Sequence, residues 1–344
     1  MKNALASVLV TSAITFSASA QEAFLAPLVE QSVLLDVAAS DYLVVVGERG
    51  HILTSNNGVD FTQSAVPTQS TLTATAAVGD RVWAVGHDAT ILHSADRGQS
   101  WQTQMQEPDL ERPFLDIVFW DQAHGIAIGA YGLFYRTLDG GVNWRAERHA
   151  TLLDPMDQEY LEQIREEDEA FYQQELDSIL PHLNRVTRAG EKLYLAGEAG
   201  LLAVSEDQGR SWVRFDVDYT GSFFDVQPLD ENTILAVGLR GNMFVRREQG
   251  DWEYVNTCSD STLNSVLPLQ SEVIAMGNNG IIIHAQRPLP VSEPDPYASS
   301  VTCEPPAGIT MEQISDKAAI LNAVQFDGKV IAVTANGIKQ LNKE

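Results

Sequence analysis

Residues 94–101 read SADRGQSW, and nearly the same octet returns as TLDGGVNW at 137–144 and SEDQGRSW at 205–212. A pattern hydroxyl-x-Asp-x-Gly-x-x-Trp met three times, each after a short apolar run, is beyond chance for this composition and marks a repeat protein. Aligning the octets exposes the unit around them. An apolar strand, a Gly-x-x-Gly turn and a second apolar strand recur as VVVGERGHILTS (44–55), WAVGHDATILHS (83–94), IAIGAYGLFYRT (126–137), YLAGEAGLLAVS (194–205), LAVGLRGNMFVR (235–246), IAMGNNGIIIHA (274–285) and IAVTANGIKQLN (331–342). The leading glycines stand at 47, 86, 129, 197, 238 and 277, with Thr334 in the seventh copy.

Ahead of each turn lies another strand, opened by Leu35-Asp36, Leu115-Asp116, Leu183-Asn184, Phe224-Asp225, Leu263-Asn264 or Leu321-Asn322, with Leu72-Thr73 the exception. Behind each octet comes a short polar strand such as WQTQMQ. Four short strands in about forty residues are the signature of a propeller blade, whose twisted sheet buries its faces against its neighbours. The expectation is an all-β, seven-bladed propeller of four-stranded blades, one domain over 21–344. The last copy lacks its outermost strand, and Glu22–Pro27 (EAFLAP) is expected to supply it, removing an exposed edge.

In such a blade the octet joins the third and fourth strands. Its Gly permits a positive φ, its Asp accepts turn N–H groups and its Trp folds back on the sheet. Asp96, Trp101, Asp139, Trp144, Asp207 and Trp212 are therefore read as structural staples, with SNNGVDF (55–61) and RREQGDW (246–252) as degraded copies. Asp36, Asp116, Asn184, Asp225, Asn264 and Asn322 are read as a ring of turn caps.

The octets resemble the Asp-box, or bacterial neuraminidase repeat, of sialidases and many non-enzymatic propellers. The larger unit is similar to the photosystem II stability/assembly factor family of seven-bladed propellers and its relatives in non-photosynthetic bacteria. In photosynthetic members the resemblance implies a non-enzymatic chaperone that docks on a membrane complex through an Arg-rich patch. Here the corresponding turn residues are mixed, and only Arg49 and Arg240 are basic.

The N-terminus MKNALASVLVTSAITFSASA has a basic Lys2, an apolar stretch and the small-residue ending Ala18-Ser19-Ala20, the layout of a signal peptide cleaved after Ala20. The expected location is the periplasm, with secretion as the alternative. A formal charge of −25 argues against nucleic acid or an anionic lipid surface as partner. Cys258 and Cys303 are the only cysteines, and an oxidising compartment favours a disulfide over free thiols or a metal site.

Two insertions interrupt the repeat. LLDPMDQEYLEQIREEDEAFYQQELDSILP (152–181) is the one helical segment, capped by Asp154 and Pro155 and ended by Pro181. Met156, Tyr160, Ile164, Phe171, Tyr172, Leu176 and Ile179 suggest one apolar stripe. Ten acids and one base lie between Asp154 and Asp177. The second insertion, 287–308, is rich in Pro and is placed, with both cysteines, on the same face as the helix.

These features point to a protein-binding accessory or assembly factor for an envelope or membrane complex, monomeric by itself and without membrane insertion. The expected partner-binding residues are Glu159, Glu162, Glu166, Glu167, Asp168 and Glu169 on the insertion and Arg49, Tyr131 and Arg240 on the turns. No cofactor, metal or catalytic residue is expected. The alternative is a carbohydrate-binding or sialidase-like propeller, for which Arg49, Arg112, Arg240, Tyr131, Glu198 and Asp88 form a crude inventory without the Arg-Ile-Pro motif.

Overall fold

The computed structural model describes residues 22–293 and 302–341; the signal-peptide reading of 1–20 lies outside them. Seven antiparallel sheets follow one another along the chain, six with four strands and the seventh with three. Their first strands are Leu34–Ala39, Leu72–Val78, Phe114–Phe119, Leu183–Ala189, Phe223–Asp230, Leu263–Pro268 and Ile320–Phe326. Each first strand touches the next, and the seventh touches the first, so they line the centre of a closed ring. The second strands are buried along their whole length, as in Leu43–Gly47, or after their first one or two residues, as in Lys192–Gly197, because a propeller blade is covered on both faces.

The blades are numbered one to seven in chain order. Because strands alternate in direction, the Gly-x-x-Gly turns and the connections between blades share one face of the ring, and the octets lie toward the other. At the box turns Gly98 and Gly209 have φ of 81° and 80°, where a side chain would be strained. A Cβ on Gly98 would also meet the Thr54 side chain at 2.8 Å.

Residues 22–27 do not form the missing strand. The Ala23 amide donates to the Val66 carbonyl, and Gln63 binds both the Ala26 amide and the Phe24 carbonyl, so the segment lies on blade one. Ring closure comes instead from the first strands of blades seven and one and from Val29–Gln31, which pack on the third strand of blade seven.

The second insertion also differs from the sequence reading. The fourth strand of blade six is Ile309–Gln313, so 287–308 replaces the octet of that blade and does not join blades six and seven. It leaves blade six on the octet side, and its Cys303 is tied by a disulfide to Cys258 in the connection ahead of blade six. A disulfide is consistent with an oxidising compartment. No helix among the described residues is long and apolar enough to cross a membrane.

Candidate functional site

The 152–181 insertion forms two helices, α1 (Pro155–Glu167) and α2 (Glu169–Ile179). Asp154 caps α1 through the Met156 amide, and Asp168 caps α2 through the amides of Ala170 and Phe171. The break at Asp168 resets the helical phase and splits the anticipated stripe. Tyr172 and Leu176 are buried with Leu153, Leu161 and Leu180, and Ile164 and Ile179 pack against this core. Met156, Tyr160 and Phe171 point outward, with 79%, 47% and 43% of their surface exposed. Leu161, one residue past Tyr160, is the buried anchor that the stripe reading missed.

Polar contacts hold this hairpin to the turn face of blades three and four. Arg148 binds the Asp177 carboxylate, Arg112 donates to the Asp177 carbonyl, and Gly132 donates to the Pro181 carbonyl. Arg214 reaches from blade four to the Leu152 carbonyl. Glu159, Glu162, Glu166, Glu167, Asp168 and Glu169 are all exposed, and Arg165 is shared between Glu162 at 3.8 Å and Glu169 at 3.4 Å. Six carboxylates and three apolar side chains of the hairpin thus face solvent.

Arg49, Tyr131 and Arg240 occupy the same left-handed turn position, with φ of 55°, 53° and 54°. They belong to blades one, three and five and are not brought into contact. Tyr131 alone adjoins the hairpin, edge-on to His182 at 4.5 Å with Arg112 over its ring at 5.7 Å. Its hydroxyl makes no hydrogen bond among the described residues. Glu198 binds the His182 amide, and Asp88 accepts from the Ser70 hydroxyl. The sialidase-like inventory is thus dispersed, without the convergence of arginines and carboxylates around a tyrosine that such chemistry needs.

The octets form the same hydrogen-bonded turn three times. In blade two Ser94 Oγ donates to Asp96 and the Ser100 amide and hydroxyl donate to the same carboxylate; the Trp bond is not repeated, since Trp101 Nε1 donates to the Gly98 carbonyl and Trp144 Nε1 to the Gln104 side chain. The Ser100 hydroxyl is the main cause that pushes the Asp96 carboxyl down to about 2. At Asp207, burial pulls upward, but the Ser211 hydrogen bonds and their neighbours outweigh it and the carboxyl also falls to about 2. These carboxylates are consumed by their own turns.

The ring around the channel is where sequence and structure diverge most. Every first strand bulges after its opening residue, so the second residue is skipped in the pairing register. Counted from that bulge, Asp36, Asp116 and Asp225 are equivalent to Arg185, Ser265 and Asn322, while Asn184 and Asn264 sit one place earlier. They are not caps of their own turns alone; they join blades. Asp36, Asp116 and Asp225 accept from the amides of Thr75, Val186 and Val266 in the next blade. Thr73, Asn184 and Asn264 donate to the carbonyls of Phe114, Phe223 and Ile320. Asn322 closes the circle on Asp36 at 2.5 Å.

Arg185 was not anticipated. Its guanidinium sits in the channel 3.8 Å from Asp36, 3.6 Å from Asp116 and 3.9 Å from Asp225, with 19% of its side chain exposed. Burial raises the Asp116 carboxyl to about 7, against the pull of Arg185 and with the push of Asp36. Burial raises Asp225 as well. The only sequence signal for Arg185 is a basic residue inside a short apolar strand.

Comparison with known proteins agrees with the repeat. The family model for the photosynthesis system II assembly factor YCF48 matches residues 102–252, the same family as the resemblance read from the repeats. A structure of YCF48 from Cyanidioschyzon merolae superposes with a TM-score of 0.63 at 15% identity, covering 91% of this chain and 96% of that one. A structure described as YCF48 bound to D1 peptide gives 0.62 at 14%, covering 90% and 92%. BamB from Moraxella catarrhalis gives 0.55 at 14%, covering 89% and 82%. At these identities the likeness establishes the fold. No curated protein matches the chain in sequence.

Proposed function

We propose that this chain, whose repeat matches the YCF48 assembly-factor model, is a non-enzymatic protein-binding propeller. On this reading it is exported after cleavage at Ala20, folds as one domain over 21–344, and serves as an accessory or assembly factor for an envelope or membrane protein complex. Its partner docks on the turn face, at the α1–α2 hairpin with Tyr131 beside it, while Arg49 and Arg240 extend the contact across the mouth.

The observation that carries the reading is the exposure of Met156, Tyr160 and Phe171 among six carboxylates. Clustered exposed aromatic and Met side chains within a polar rim are the anatomy of a protein interface. The carboxylates favour a basic partner surface and would speed its approach. That one YCF48 structure is described with a D1 peptide supports a peptide-binding role for a propeller of this repeat type.

The test is an affinity pull-down from detergent-solubilised envelope, comparing the intact mature chain with the triple variant Met156→Ser, Tyr160→Ser, Phe171→Ser. One defined complex should be retained by the intact chain and lost by the variant at unchanged Tm. Equal recovery by both would remove the hairpin from the interface.

A further inference from the structure

Two of the three octets keep their tryptophan over their own glycine, and the third does not. A Cβ on Gly98 or on Gly209 would meet the ring of Trp101 or Trp212 at 3.4 Å. Both rings are buried, with 8% and 3% of their surface exposed, in the cores that join neighbouring blades. In blade three the atoms nearest to such a Cβ on Gly141 belong to the Gln104 side chain. Gln104 comes from the fourth strand of blade two, Gln102–Met105. Its Nε2 donates to the Gly140 carbonyl, and its Oε1 accepts from Trp144 Nε1. Gln104 thus covers the glycine, and Trp144 stands outside it, half-buried and edge-on to Phe119 at 6.0 Å.

The displaced indole lines a groove of about 620 Å³ on the rim of blades two and three, a volume typical of a ligand site. Met105, Tyr135, Leu110 and Val142 line it too, and Leu110 and Val142 expose 40% and 78% of their surface. Its polar part holds Thr103, Gln106 and Glu107. Among the described residues the hydroxyls of Thr103 and Tyr135 and the carboxamide of Gln106 make no hydrogen bond, and the Glu107 carboxylate makes no ion pair.

These features select the occupant. The edge of blade two is bulged at Gln104, which the pairing register skips, so the rim lacks the straight ladder that strand addition uses. Three aliphatic side chains beside the two aromatic rings suit a peptide better than a sugar, whose hydroxyls they would leave unmatched. The free hydroxyls and carboxamide are donors without acceptors. A polyproline II segment fits both demands: its rings pack on aromatic faces, its carbonyls form no internal hydrogen bonds, and its prolines carry no N–H that needs a partner. Glu107 is the only charged residue lining the groove, and the whole chain carries −25, so the flank of the segment is basic.

We propose that this groove binds a proline-rich segment of a partner protein in polyproline II conformation, with proline rings on Trp144 and Tyr135 and a neighbouring Lys or Arg paired with Glu107. The site does not rest on the role proposed for the α1–α2 hairpin.

The probe is a phage library of random dodecapeptides panned on the intact mature chain, from which an enriched sequence is made with fluorescein and titrated by fluorescence anisotropy. Enriched sequences should carry Pro-x-x-Pro with Lys or Arg next to it. Val142→Arg, at a site open enough to leave the Tm unchanged, should weaken binding at least about tenfold, and Trp144→Ala should do the same. Glu107→Lys should weaken it and reduce its dependence on salt. The variant Met156→Ser, Tyr160→Ser, Phe171→Ser should bind as the unaltered chain does. No enrichment, enriched sequences without proline, or binding indifferent to Val142→Arg would overturn the proposal. So would a peptide whose binding is lost in the hairpin variant. Saturable binding of chitohexaose or cellohexaose, read by Trp fluorescence and abolished by Val142→Arg, would give the groove to a glycan and overturn it equally.

Discussion

Replacing Arg185 with Met should destabilise the propeller strongly at alkaline pH and much less in mild acid. Its guanidinium lies within 3.6 to 3.9 Å of three carboxylates contributed by blades one, three and five. At about 4 Å and an effective dielectric near 20, each such pair is worth about 4 kcal/mol before desolvation is subtracted. Removing one partner from a buried ionic group typically costs about 3–5 kcal/mol, because the charges left behind stay desolvated. Those charges can escape by binding protons. Asp116 already has its carboxyl raised to about 7 in the folded protein, from an ordinary 3.8. A raised carboxyl means that the folded state keeps a proton which the unfolded chain has released. Stability from this group is therefore greatest in acid and declines as pH climbs from about 4 to about 7. At about 1.4 kcal/mol per unit the ceiling on that decline is about 4 kcal/mol. Without Arg185, Asp116 and Asp225 should rise further and extend the decline above pH 7. Urea unfolding followed by Trp fluorescence should show a loss of about 3–5 kcal/mol at pH 8 and less than about 2 kcal/mol at pH 5. An equal loss at both pH values would refute the electrostatic account and leave only lost packing.

Trp212→Ala should cost about 3–5 kcal/mol, the range for emptying a large aromatic site in a core, and differential scanning calorimetry would read it as a lowered Tm. Joint replacement of Cys258 and Cys303 by Ser releases a cross-link spanning a sequence separation of 45 residues. The chain-entropy model puts that loss at about 4 kcal/mol, and reduction of the native protein by dithiothreitol should reproduce most of it.

The blade count was legible because the Gly-x-x-Gly turn and the octet are local devices, fixed by residues close in sequence. The central ring was not, because a bulge breaks the two-residue alternation that strand reading relies on. Leu35-Asp36 and Leu183-Asn184 look like one motif, yet Leu35 is a bulge residue and Leu183 pairs with Gly197, which puts Arg185 in register with Asp36. The 287–308 insertion was misplaced because blade six has no octet to mark where its third strand ends. Met156 and Tyr160 fell off the buried stripe because α1 packs through Leu161 and Ile164, a face out of phase with that of α2, which begins anew at Asp168.

The circle of bonds between blades has a parity. Blades one, three and five reach forward with a carboxylate that accepts, and blades two, four and six with a hydroxyl or amide that donates, so the two roles alternate. Seven is odd, and no strict alternation can close on an odd ring. The mismatch has to fall at one seam, and it falls between blades seven and one, where two positions of the accepting kind become neighbours. A carboxylate at residue 322 would there face Asp36 across 2.5 Å. The chain places Asn322 at that seam, turning an acceptor into a donor at the one point where the count of blades forbids another Asp.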